Sequence, residues 1–144
     1  MNASDMATNL EFASKIAAIV NLFKSEFPDA SSDLKPWKND PQTRQLIDPE
    51  SIDISFHFPG VSGSWKCRSV LIQIRFYQDL VSDIKRAIGV EIAGFNHTGE
   101  QWRLSTVDNW SCVGISQPSL ERSKQLKNFC RQVLEVFNAA NEQI

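Results

Sequence analysis

The feature that most constrains this chain is the alternation of apolar and polar residues in four segments between Ser51 and Val107. Successive side chains of a β-strand point to opposite faces, so this alternation predicts strands with one apolar and one polar face. β-branched and aromatic residues dominate the segments, which is typical of strands. We therefore predict four strands, with apolar positions at Ile52, Ile54, Phe56 and Phe58; Val70, Ile72, Ile74 and Phe76; Ile88, Val90 and Ile92; and Trp102 and Leu104.

The segments between these strands favour hairpins. Residues 59–64 (PGVSGS) join the first two strands, and residues 96–99 (NHTG) join the last two. Glycine and asparagine accommodate the positive φ angles that tight turns require. Parallel pairing is disfavoured because no long helical crossover separates the strands. The sequence therefore predicts a single four-stranded antiparallel sheet with a meander topology.

Two segments outside the strands have helical periodicity. The first runs from about residue 9 to residue 27 and ends before Pro28, because the residue before a proline avoids the α-helical region. The second runs from about residue 119 to residue 141. Apolar residues recur three or four positions apart in both. The predicted fold class is therefore α+β, with the order α-β-β-β-β-α and the sheet flanked by an N-terminal and a C-terminal helix.

The length of 144 residues predicts a single domain over residues 1–144. We expect residues 1–7 to form a frayed tail. Residues 28–50 read as a long loop, with a short helix from about Pro41 to Ile47. A loop of this length in a compact domain is usually functional or fixed to the body of the protein, and Trp37 is the expected anchor.

Composition narrows the function classes. A net charge of −2 argues against broad nucleic-acid binding, which needs a cationic surface. No apolar run approaches the roughly 20 residues needed to cross a membrane. We also find no secretory signal, and three widely spaced cysteines do not form a disulfide framework. A cytoplasmic location follows as the expectation.

Motifs of catalytic or metal-binding proteins are missing from the sequence. It contains no glycine-rich phosphate loop, no HExxH and no CxxC. The histidines and cysteines lack the spacing of zinc-ligand pairs. A nucleophilic pair of Cys67 with His57 would need a third, orienting group and a low thiol pKa. We therefore predict no catalytic residues, no metal and no cofactor.

The polar positions of the four strands define a second face of the sheet, opposite the apolar core face. It includes Asp53, Gln73 and Leu71. Aromatic residues and arginines with few lysines are typical of protein interfaces. The alternative is an ordinary solvated face with cross-strand charge pairs. We take as candidate partner- or ligand-binding residues His57, Trp65, Arg75, Tyr77, Glu91, Phe95 and Arg103.

Three hypotheses for function follow. The first is a small non-enzymatic interaction or regulatory module that binds protein through the second face, including a second copy as a homodimer. The alternative is a small-ligand-binding domain or enzyme, with a pocket between the sheet and the 30–50 loop. Its polar groups would be His57, Arg75 and Glu91, and Trp37 would form a wall. The third is nucleic-acid binding, which requires five cations on one surface: Lys66, Arg68, Lys124, Lys127 and Arg131.

Overall fold

The computed structural model describes residues 1–7, 10–37, 50–60, 63–78 and 85–139. Within these ranges the chain forms helices α1 (Ala3–Met6), α2 (Leu10–Glu26) and α3 (Leu120–Ala139). None of the described helices has the length and apolar character that crossing a membrane requires. The strands are β1 (Ser31–Asp33), β2 (Ser51–His57), β3 (Ser69–Gln78), β4 (Lys85–Asn96), β5 (Gly99–Ser105) and β6 (Ser111–Gly114).

The strands form one sheet in the order β1-β2-β3-β4-β5-β6, and each pairs antiparallel with its neighbours. The predicted α+β class, with an antiparallel sheet flanked by N- and C-terminal helices, is confirmed. The predicted number of four strands is wrong, because β1 and β6 extend the sheet at its two edges. These strands have only three and four residues, too few to show an alternating pattern.

Helices α2 and α3 cover the core face. The ring of Phe23 in α2 stacks on Phe56 of β2 at 4.0 Å between centroids, and it meets Phe129 of α3 edge-on at 5.3 Å. Farther along α3, Phe137 packs against Phe76 of β3 at 5.2 Å. All five side chains are buried. Apolar burial between the two helices and one face of the sheet therefore holds the fold together.

A β-bulge changes the face assignment in β4. Arg75 pairs with Gly89, but Phe76 pairs with Ala87, which leaves Ile88 as an extra residue. Ile88 is 55% exposed, whereas Ala87 is buried. The predicted core position of Ile88 is therefore wrong, because an inserted residue shifts the alternation of the residues before it to the other face.

The N-terminal residues are not a frayed tail. Ala3–Met6 form α1, Ala3 is fully buried, and the backbone N–H of Asp53 donates to the carbonyl oxygen of Met1 at 2.8 Å. Of the predicted 28–50 loop, residues 31–33 form β1. The short helix predicted for residues 41–47 lies outside the described residues.

Candidate functional site

The middle of the second face is buried. Asp53 is fully buried, Ala93 is 1% exposed, and Leu71 and Gln73 are each 8% exposed. Leu71, which the sequence places on the second face, is therefore not exposed to a partner. Side chains available to a partner lie around this buried centre.

Asp53 joins three separate parts of the chain. Its carboxylate accepts hydrogen bonds from the Trp37 indole N–H and from the Ser51 hydroxyl, the latter at 2.9 Å. The amino group of Met1 forms an ion pair with it at 3.0 Å. Asn2 and Trp37 are also joined, because the Trp37 backbone N–H donates to Asn2 Oδ1 at 2.9 Å. Trp37 is thus anchored to the sheet, and the buried carboxylate is well supplied with donors.

Three of the candidate residues form a row of charges across β3, β4 and β5. Arg75 Nε lies 2.8 Å from Glu91 Oε2, and Arg103 Nη1 lies 3.8 Å from the same oxygen. The other end of the Arg103 guanidinium pairs with Glu100 at 2.8 Å. The second-face register places the three candidates together as expected. Partly exposed pairs of this kind contribute little to stability, typically about 0–1 kcal/mol each.

The other aromatic candidates lie elsewhere. Tyr77 is 59% exposed near the end of β3. Trp65 is only 4% exposed and belongs to the core, where its ring stacks on Phe58 at 5.0 Å and meets Phe27 edge-on at 4.7 Å. Its expected place on the second face is wrong. Trp65 precedes β3 rather than lying within a strand, so alternation does not determine its direction.

His57 and Phe95 line a cavity at one end of the sheet. Register places His57 of β2 opposite Ser69 of β3, and Ser69 opposite Phe95 of β4. The cavity has a volume of about 320 Å³, and its other lining residues are Phe58, Arg68, Ser69, Asn96 and His97. Arg75, Glu91 and Trp37 are not among the residues that line it. His57 therefore lies apart from the Arg75–Glu91 pair, and residues 38–49 of the loop in the predicted ligand pocket lie outside the described residues.

A second cavity, of about 340 Å³, opens beside the C-terminal end of α2. The guanidinium of Arg122 lies over the rings of Phe27, at 5.6 Å, and Trp65, at 5.4 Å. It also donates to Ser64 Oγ and Gln125 Oε1. The Trp65 ring therefore has Phe58 stacked on it and the Arg122 guanidinium lying over it. This aromatic cluster already binds a cation of the protein itself.

The cysteines are thiols in positions unsuited to nucleophilic catalysis. Burial raises the pKa of Cys67 to about 11 and that of Cys130 to about 12. Burial also raises the pKa of Cys112, against the opposing effect of Lys127. Because the thiolate is the reactive form, a Cys67–His57 nucleophilic pair is not supported. No group of three or more His, Cys, Asp or Glu residues suited to a metal ion occurs among the described residues.

The cations proposed for nucleic-acid binding lie on two separate segments, Lys66 and Arg68 before β3 and Lys124, Lys127 and Arg131 in α3. Arg68 lines the cavity next to β3. The Arg131 guanidinium lies 5.0 Å from the centroid of the Trp110 ring, and Trp110 immediately precedes β6. β3 and β6 are separated by two strands in the sheet order, so Arg68 and Arg131 do not adjoin.

Sequence reasoning did not select Arg68 and His97 as candidates for binding small ligands. Both lie beside strand ends, outside the alternating segments that defined the second face. Their proximity to His57 depends on the pairing of β2 with β3 and of β3 with β4. The basic residues in the turns before β3 and after β4 can be seen in the sequence. That they share one cavity follows only when the strand register is known.

Comparison with known proteins gives a family without an assigned activity. No curated protein and no solved structure matches the chain. A family model described as a domain of unknown function matches residues 4–139, which include every described element except the first residue of α1. The chain therefore belongs to this family of domains of unknown function.

Proposed function

We propose that this domain is a protein-interaction module whose partner is a second copy of the chain, joined edge to edge through β6. The exposure of that edge carries the proposal. Val113 in β6 is 56% exposed, and Ile115 just beyond it is 86% exposed. β6 is the last strand of the described sheet. An edge strand offers unpaired backbone N–H and C=O groups to a further strand.

The composition of β6 favours its own copy as the added strand. Its residues, Ser-Cys-Val-Gly, carry no charge, so antiparallel pairing about a twofold axis places no like charges opposite each other. Natural edges are often protected by lysine or proline, and β6 contains neither. The opposite edge is less suitable, because β1 is polar and has three residues.

The expected dimer is weak. Four residues of strand and two exposed aliphatic side chains bury less area than a standard stable interface of roughly 1,600 Å². Association should therefore depend on concentration. Free thiols at Cys67, Cys112 and Cys130 agree with a reducing, cytoplasmic setting, which we include in the proposal.

Sedimentation equilibrium over a concentration series tests the proposal. The wild-type chain should change from monomer to dimer at protein concentrations below about 1 mM, which corresponds to weak association. Val113→Lys places a charge on the edge strand of each copy, so the two lysines come close together across the twofold axis. It should raise the dimer dissociation constant at least about tenfold, since facing like charges destabilise strand pairing.

Ile88→Lys is the matched control. Ile88 is 55% exposed, nearly as much as Val113, but it lies in the β4 bulge, away from the edge. This variant should dimerise like wild type, and circular dichroism should show both variants folded. A wild-type chain that stays monomeric throughout the series overturns the proposal. So does a dissociation constant that Val113→Lys leaves unchanged.

A further inference from the structure

The cavity at the end of β2, β3 and β4 gathers basic side chains from distant parts of the sequence. His57 comes from the last position of β2, Arg68 from the position before β3, and His97 from the turn after β4. These are the chain's two histidines, forty residues apart, and one of its arginines. In a chain of net charge −2, they form a local basic surface.

No acidic residue is among the described residues that line this cavity. Arg68 and His97 form no ion pair or side-chain hydrogen bond with any described residue. Of the three basic side chains, His57 has an acidic neighbour among the described residues, because Asp33 Oδ2 lies 3.6 Å from His57 Nε2. The guanidinium of Arg68 therefore has its fork of donors available, the geometry that binds carboxylate and phosphate oxygens in pairs.

Arg68 and the two histidines offer hydrogen-bond donors to this cavity from three separate positions in the chain. A ligand that satisfies all three side chains must therefore carry negative charge and offer several acceptor oxygens.

We propose that this cavity binds a phosphate monoester group. Its oxygens accept hydrogen bonds from Arg68 and the two imidazoles. A carboxylate has only two oxygens for these three side chains, whereas a phosphate monoester has three terminal oxygens. The volume of about 320 Å³ lies at the lower end of small-molecule pockets, roughly 300–1,000 Å³. The group can belong to a small phosphorylated metabolite or to a phosphorylated side chain, because both present the same tetrahedral oxyanion.

Titration followed by NMR tests this site directly. The carbon-bound protons of the two histidine rings are recorded while inorganic phosphate, phosphoserine or a phosphoserine peptide is added to the full chain. Sodium chloride at matched ionic strength measures general screening. Both rings should shift with saturation in phosphate and not in chloride. Tighter binding of the peptide than of inorganic phosphate identifies a side chain as the source, and the reverse identifies a small molecule.

Arg68→Ala should weaken phosphate binding at least about tenfold, the expected loss for a hydrogen bond to a charged group. Arg68 is exposed, so the variant should fold. Arg86→Ala is the matched control, because Arg86 is also exposed but lies near the opposite end of β4. Ring shifts that do not saturate, that chloride reproduces, or that both variants lose equally would refute the site. The outcome is separate from sedimentation, which reports only on the β6 edge.

Discussion

Trp102 shows how a single large side chain determines what its neighbours can be. The side chain is fully buried, and its indole N–H donates to the carbonyl oxygen of Trp65 at 2.8 Å. Its cross-strand partner is Gly94. Because glycine has no Cβ, the indole lies directly against the β4 backbone. Trp102 thus links the last hairpin to the segment before β3, and its burial agrees with its predicted place on the apolar face.

Gly94→Ala should destabilise the protein. An added Cβ would collide with Trp102 Cε2, and the indole ring it meets is fully buried. We expect a loss of about 1–3 kcal/mol in the free energy of unfolding, as for other overpacked cores. Urea melts measure it. Gly63→Ala is the control, since nothing lies within 4 Å of its added Cβ. Equal stability of the two variants would mean that the indole does not pack against Gly94.

The raised pKa of the buried Cys67 thiol leads us to expect a loss of stability at alkaline pH. Its folded-state pKa is raised by burial from 9.0 to about 11. The unfolded chain therefore releases the thiol proton first, and the stabilisation present below pH 9 is lost as pH rises through 11. Between about pH 8 and about pH 10 the stability advantage of wild type over Cys67→Ala should shrink by roughly 1 kcal/mol. An advantage that stays constant over this interval would contradict the raised pKa.

At the scale of elements, the β4 bulge is supported from α3. The side-chain amide of Asn138 donates to the carbonyl oxygen of Ala87 at 3.1 Å and accepts from the Ala87 N–H at 3.0 Å. Ala87 directly precedes Ile88, the extra residue of the bulge. The asparagine therefore takes the place of a strand partner where the sheet pairing changes register. This contact ties the end of α3 to β4.

Asn138→Ala should cost about 1–3 kcal/mol, because it leaves both backbone groups of Ala87 without their partner. Chemical denaturation measures the change. Asn128→Ala on the same helix is the control, since Asn128 is exposed, and it should change stability by less than about 0.5 kcal/mol. If Asn138→Ala changed stability no more than Asn128→Ala, the two hydrogen bonds between Asn138 and Ala87 would not stabilise the fold.

Which elements could be predicted depends on how each one is stabilised. Long strands and helices bury one face, so β2 to β5, α2 and α3 left a periodic pattern in the sequence. The edge strands β1 and β6 are held by backbone pairing, which leaves no such pattern. The bulge at Ile88 arises from pairing with β3, and no local residue preference indicates it. The basic cavity was missed for the same reason, because only the register brings His57 close to Arg68 and His97.

At the scale of the whole molecule, Asp53 joins regions that are far apart in the sequence. The amino group of Met1, the indole of Trp37 and the hydroxyl of Ser51 all meet its carboxylate. Asn2 also forms a parallel bridge with Asp53, so the N-terminal residues extend the sheet edge beside β2. One buried carboxylate therefore holds the N-terminal segment and Trp37 against the sheet.

Asp53→Ala should lower the free energy of unfolding by about 2–3 kcal/mol, because the substitution removes an acceptor of charge-assisted hydrogen bonds and leaves the buried Ser51 hydroxyl without it. Asp108→Ala is the control. It removes the same charge from an exposed turn and should cost less than about 0.5 kcal/mol. Guanidinium melts compare the two, and solvent exchange of the Trp37 indole N–H proton, followed by NMR, reports whether the indole leaves its site. Trp37 should become more solvent-exposed in Asp53→Ala before global unfolding. If the Trp37 exchange rate and overall stability matched those of Asp108→Ala, Asp53 would not be what holds the N-terminal segment and the loop against the sheet.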